Sequence, residues 1–179
     1  MRYIAFMRAL NVGGHTVKMD HLRSLFEALG FANVESFIAS GNIIFESPSS
    51  DTAELEERIE RHLKASLGYE VPTFLRTAAQ VAAAAEYRPF AAADPLPEGH
   101  TLMVVFLKGE PTAEEREKVA ALRTEGDDFH VHGRELYWWR HGRLSDSLVK
   151  PGRMEKAFRT PGTARNVTTV RRLAAKYPA

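Results

Sequence analysis

The sequence contains no cysteine. That absence excludes disulfides, thiolate nucleophiles, zinc fingers and iron–sulfur ligation. Long hydrophobic runs are also missing. The apolar opening stretch, Tyr3 to Leu10, is too short to cross a membrane. No small-residue cleavage site follows it, so it reads as a first strand and not as a signal peptide. No membrane partner is expected, and the cytoplasm is the default compartment. Neither GxxxxGK[ST] nor GxGxxG occurs, and the seven histidines form no HxxxH or HExxH pair. GxSxG is absent too, and no enzyme signature is complete. The expectation is therefore no cofactor and no metal.

What remains is an ordinary globular composition. The chain has 179 residues, 44% hydrophobic and 26% charged. That is enough chain for one large domain or two small ones with a real core. The near-neutral net charge of +1 hides an asymmetry. Residues 134–179 hold 11 Lys and Arg against 3 Asp and Glu, a net of +8, whereas residues 1–133 hold 13 against 20, a net of −7. A basic C-terminal quarter is the expected footprint of an anionic partner, nucleic acid being the commonest large one. Solvated basic helix faces, or docking on the acidic remainder, would give the same composition.

Periodicity supplies the architecture. Tyr3–Leu10 reads as a strand. Met19, Leu22, Leu25, Phe26 and Leu29 recur at helical spacing before Gly30. Val34–Ile38 and Ile43–Phe45 are strand-like, joined by Ala39-Ser40-Gly41-Asn42, a good hairpin turn. Asp51 is a candidate N-cap for a helix carrying Leu55, Ile59 and Leu63, and Val71–Leu75 is strand-like. The order is β-α-β-β-α-β, the ferredoxin-like pattern. Thr77–Tyr87 is Ala-rich and helical. Pro89, Pro95 and Pro97 make residues 88–100 the linker candidate. Then come a strand over Leu102–Leu107, a helix over Ala113–Leu122 with Thr112 as N-cap, and a hairpin of Phe129–Val131 with Leu136–Arg140. The second half thus begins β-α-β-β as well. We expect an α+β protein of two ferredoxin-like subdomains side by side, over 1–87 and 101–179. Two further helices close the tail. One lies near Arg153–Phe158. The other starts after Thr160-Pro161-Gly162, with Thr160 or Thr163 as cap.

Four places offer chemistry. The loop Arg8–Lys18 joins the first strand to the first helix. Gly13 and Gly14 allow close backbone approach, and Asn11 and Lys18 add polar groups that would suit a phosphate or carboxylate. A tight turn needing glycine explains the same residues. Ser40-Gly41-Asn42 is the second place. Its hairpin is expected at the sheet end away from the Arg8–Lys18 loop. On the last helix, Arg165, Thr169, Arg172 and Lys176 would share one face, with Asn166 beside them. Arg165 would sit in the first turn, where the dipole invites an anion or a carboxylate. The fourth place is Tyr137–Arg143, where aromatic rings interleave with Arg140 and Arg143. Such a stretch can stack bases and hold phosphates, or pack as core with an arginine edge. Ser145, Asp146, Ser147 and Lys150 form a further polar cluster with no fixed geometry.

The opening YIAFMRALNVGGHTVKMDHLRSLFEALGFANVESFIASGNIIFES resembles an uncharacterised bacterial family, the domain of unknown function number 1697, whose members read "RGINVGG…KM…L…LGF…V.TYIQSGNVVF". Residues 163–173 resemble the family's closing "T.RNWNTV.KL". The resemblance implies two ferredoxin-like subdomains and no established activity. Its motif positions here are Arg8, Asn11, Gly13, Gly14, Lys18, Met19, Ser40, Gly41, Asn42, Arg165, Asn166 and Thr169. Val167 departs from the family's usual Trp, and Ser145-Asp146-Ser147 stands where the family has Ser-Lys. Three readings follow from the residues. The first is an anion-binding module, in its sharpest form for single-stranded nucleic acid through the basic C-terminal region. The second is an enzyme on a small anionic metabolite or phosphoester in a cleft between the halves. The third gives the motif residues a purely structural role.

Overall fold

A computed structural model describes residues 1–38, 41–159 and 161–179. The first half contains β1 (Arg2–Met7), α1 (Met19–Ala28), β2 (Ala32–Ser36), β3 (Asn42–Glu46), α2 (Thr52–Leu67), β4 (Thr73–Thr77) and α3 (Ala78–Glu86). The second contains β5 (Thr101–Leu107), α4 (Ala113–Ala120), β6 (Asp127–His132), β7 (Glu135–Arg140), α5 (Pro151–Ala157), β8 (Gly162–Asn166) and α6 (Val167–Lys176). Each half builds a four-stranded antiparallel sheet, ordered β2-β3-β1-β4 and β6-β7-β5-β8. A β-α-β-β-α-β chain with the first strand between the third and fourth is the ferredoxin-like arrangement. The fold is α+β with two similar subdomains.

Local chemistry explains the elements. Asp51 Oδ1 accepts from the Glu54 N–H at 3.0 Å and caps α2, which ends at Gly68 in the left-handed region. Thr112 and Glu115 form a reciprocal capping box at the start of α4. In the first sheet Tyr3, Ala5, Met7, Ile43 and Phe45 face α1 and α2, meeting Leu22, Phe26, Leu55, Ile59 and Leu63. In the second, Val105, Leu107, Leu136 and Trp138 face α4 and α5, meeting Val119, Met154 and Ala157. Both central strands are buried on their other face as well, at Ile4, Phe6, Val104 and Phe106. Burial on both faces is why β1 and β5 read as continuous apolar runs instead of alternating.

The chain forms two units, Met1–Ala82 with Leu173–Ala179, and Ala83–Arg172. The crossings fall inside α3 and inside α6. In the first unit a row of register partners runs Glu35, Ile44, Ile4, Arg76. The equivalent row in the second runs His130, Tyr137, Val104, Arg165. Both last strands therefore bury an arginine at the same position. Both rows also end on a tyrosine: Tyr177 Oη donates to Glu35 at 2.7 Å, and Tyr87 Oη lies 2.8 Å from His130 Nε2.

One element departs from expectation. Residues 162–166 are not the start of the last helix but strand β8, paired along β5 from Met103↔Asn166 to Leu107↔Gly162. The helix begins at Val167, and Asn166 Oδ1 caps it by accepting from the Thr168 N–H at 2.9 Å. Thr163 and Arg165 lie buried on that strand, so Arg165 is not in a helical first turn and does not share a helix face with Thr169, Arg172 and Lys176. An inward arginine has no hydrophobic signature, which is why periodicity missed the strand. Thr160 lies outside the described residues.

Candidate functional site

The candidate residues fall into two groups, one per unit. In the first unit, Arg8 follows β1 half-buried, and its N–H donates to the Pro72 carbonyl at 2.9 Å. Asn11 Oδ1 accepts from the Val17 N–H at 2.9 Å and closes the loop. Gly13 and Gly14 hold φ of 61° and 81°, and Gly14 has open space where a Cβ would stand. These glycines thus serve backbone conformation. His15 stacks on Tyr69 at 4.0 Å, and Tyr69 Oη donates to the Leu10 carbonyl at 2.7 Å. Lys18 is exposed at the start of α1 and makes no side-chain cap.

The β2–β3 turn was expected at the far end of the sheet. The register overturns this. Phe6 pairs with Asn42, and the Met7 N–H donates to the Gly41 carbonyl at 2.9 Å, so the turn lies at the end where the Arg8–Lys18 loop begins. In a split β-α-β unit β1 and β2 are parallel and finish at the same edge. A Cβ on Gly41 would come 3.4 Å from Met7 Cβ and 3.5 Å from Leu10 Cδ2. Asn42 is fully buried and its Nδ2 donates to the Phe37 carbonyl at 3.0 Å. Ser40 lies outside the described residues.

In the second unit Arg165 is buried, and its guanidinium donates at 2.9 Å to Thr163 Oγ1 and to the Ala164 carbonyl. Burial pushes its pKa down to about 10. Thr169 is half-buried and Arg172 exposed on α6. Arg143 is exposed, and its carbonyl accepts from Arg140 Nε at 3.3 Å. The Tyr137–Arg143 stretch is mostly core: Tyr137, Trp138 and Trp139 are all buried.

Two arrangements escaped sequence reasoning. The first centres on Asp127, a fully buried carboxylate. It accepts from Thr124 Oγ1 at 2.6 Å, Ser147 Oγ at 2.7 Å, Trp138 Nε1 at 2.9 Å and Arg140 at 3.4 Å. Burial alone would raise its pKa. The Thr124, Ser147 and Trp138 hydrogen bonds and the Arg140 charge more than offset this and hold it below the usual carboxylate range. Ser147 is therefore spoken for: its hydroxyl donates to Asp127 and accepts from the Val149 N–H at 3.0 Å. Lys150 reaches the Ser147 carbonyl at 3.4 Å, not its hydroxyl, so no Ser-Lys dyad forms.

The second arrangement is a continuous array of rings. His132 stacks on Tyr87 at 4.0 Å, and Tyr87 lies 5.7 Å from His130. Phe90 links His130 to Trp139, whose ring stands 4.1 Å from His141. His100 completes the array, stacked on His141 at 5.3 Å and accepting from Trp139 Nε1 at 3.2 Å. Three of these rings come from residues 87–100, where three prolines point to a linker and conceal the packing.

The basic tail divides by charge partner. Arg140 pairs with Asp127, Arg159 with Glu115 and Lys176 with Glu35. By contrast Arg143, Lys150, Arg153 and Lys156 are exposed, and among the described residues none pairs with a carboxylate. Arg140 also donates to the Asp146 carbonyl at 3.2 Å, tying the start of this segment to the end of β7. Among the described residues no group of three or more His, Asp or Glu could hold a metal ion. No helix there is long and apolar enough to cross a membrane.

Residues 1–137 match the family described as Protein of unknown function (DUF1697). The chain belongs to this family. No curated protein matches it. Among solved structures it is similar to the conserved bacterial protein SP0830 from Streptococcus pneumoniae, at 25% identity and a TM-score of 0.76 over 97% of each chain. In this DUF1697 member the opening motif gathers at one end of the first sheet. The closing motif forms β8 and the start of α6.

Proposed function

We propose that this protein is an anion-binding module whose anion is single-stranded nucleic acid, held on the cationic segment from Arg143 to Lys156. One observation carries the reading. Arg140, Arg159 and Lys176 are matched by acids and Arg165 is buried, while Arg143, Lys150, Arg153 and Lys156 face solvent without a carboxylate. Unmatched cations at a surface attract phosphates and release counterions on binding. Arg165, one of the candidates read from the sequence, is buried on β8 opposite Val104 and lies outside this segment.

Fluorescence anisotropy with labelled single-stranded RNA and DNA, at low and at physiological salt, tests this. Affinity falls steeply with salt. Replacing the four cations by glutamine lowers affinity and flattens the salt slope by about 0.7 for each phosphate that is no longer neutralised. Binding that ignores salt, or survives the quadruple substitution, overturns the assignment.

A further inference from the structure

The ring array ends at solvent beside the cationic segment. His141 leaves 33% of its side chain accessible, while Trp139 behind it is buried. Its ring is held from several sides. His100 lies nearly parallel to it, at 10° between planes. Its Nε2 stands 3.0 Å from Asp128, which is also paired with Arg123. Its backbone is pinned as well: the His141 N–H donates to the Gly126 carbonyl at 2.8 Å, and Thr101 Oγ1 donates to the Gly142 carbonyl at 3.0 Å. Two residues further on stands Arg143, the first of the unmatched cations. A rigid, partly open ring next to a phosphate-binding segment has the composition of a single-strand binding site. The cations track the backbone and the ring takes a base.

We propose that His141, backed by His100 and Trp139, is a stacking platform for an unpaired nucleobase whose flanking phosphates lie on Arg143 and Lys150. This rests on the nucleic-acid reading above and sharpens it, because cations alone bind any polyanion. A base inside a duplex has both faces covered by its neighbours and is unavailable to the ring. The platform therefore selects single strands.

The test compares three labelled ligands on the full chain: an oligothymidylate, an abasic strand of equal length and a duplex. Base–ring stacking makes the oligothymidylate about tenfold tighter than the abasic strand. His141→Ala removes that gap and leaves abasic binding in place, and His141→Phe restores it. Equal affinity of the wild-type protein for thymidylate and abasic strands, both salt-sensitive, overturns the platform and leaves the cationic site standing. Absence of binding to all three at low salt overturns both. A gap that survives His141→Ala places the stacking elsewhere and refutes the assignment of His141.

Discussion

Removing the Asp127 carboxylate is the sharpest test of how the second unit holds together. The side chain is fully buried and accepts four hydrogen bonds, two from hydroxyls, one from the Trp138 indole and one from Arg140. In Asp127→Ala the indole N–H and the Ser147 hydroxyl stay buried without that acceptor. Each such orphan costs about 1–3 kcal/mol. Arg140, whose side chain is only 15% accessible, loses its counter-charge. Breaking a buried pair from one side costs about 3–5 kcal/mol, and that figure already contains part of the orphan cost. We expect a loss of about 3–5 kcal/mol, a large fraction of a typical domain's stability. Urea denaturation, followed by tryptophan fluorescence and by far-UV dichroism, measures it. The folded-state pKa of Asp127 is depressed. Its contribution is therefore fully present above the unfolded-state value of about 3.9 and is lost as pH falls below that toward the folded pKa. Asp127→Asn removes this acid dependence. A loss under about 1 kcal/mol in Asp127→Ala, or an unchanged acid limb in Asp127→Asn, would refute the reasoning.

Two further stability predictions follow from packing and burial. A Cβ on Gly162 would stand 2.7 Å from Val105 Cγ1 and 2.9 Å from Leu107 Cδ2, so Gly162→Ala should overpack the β5–β8 pair by about 1–3 kcal/mol in the same urea assay. The pKa of His130 is lowered, first by burial and then by His132 and Arg116. Its contribution is complete above the unfolded value of about 6.5 and declines as pH falls below it, so His130→Gln should flatten the stability profile on the acid side of about pH 6.5, read by thermal melts.

Much of the fold was legible because the strands and helices of both halves carry standard signals. β1 and β5 announce themselves as apolar runs, Asp51 and Thr112 as caps, and Leu55, Ile59 and Leu63 as one helix face. β8 was not legible: Thr-Pro-Gly ahead of it imitates a helix start, and Arg165 points inward where a pattern reader expects an apolar residue. The equivalent β4 was legible because Phe74 and Leu75 precede its buried Arg76. In the candidate sites, Asn11 and the glycines were recognised by residue type. Their roles in closing a loop and setting backbone angles needed coordinates. The gathering of rings from residues 87–100 onto β6 and β7 is a long-range event, and no local motif encodes it.

The crossings inside α3 and α6 make the first unit discontinuous, with the second inserted into it between Ala82 and Leu173. A cut at the proline-rich stretch therefore severs more than a tether. The amino-terminal fragment would lack Tyr177, which hydrogen-bonds to Glu35 and packs edge-on against Phe37. The carboxy-terminal fragment would lack Ala84 and Tyr87, which hold Tyr137 and His130. We expect neither piece to fold alone, and mixing the two fragments to restore the native far-UV dichroism. The last seven residues are therefore part of the first unit although they follow the whole of the second.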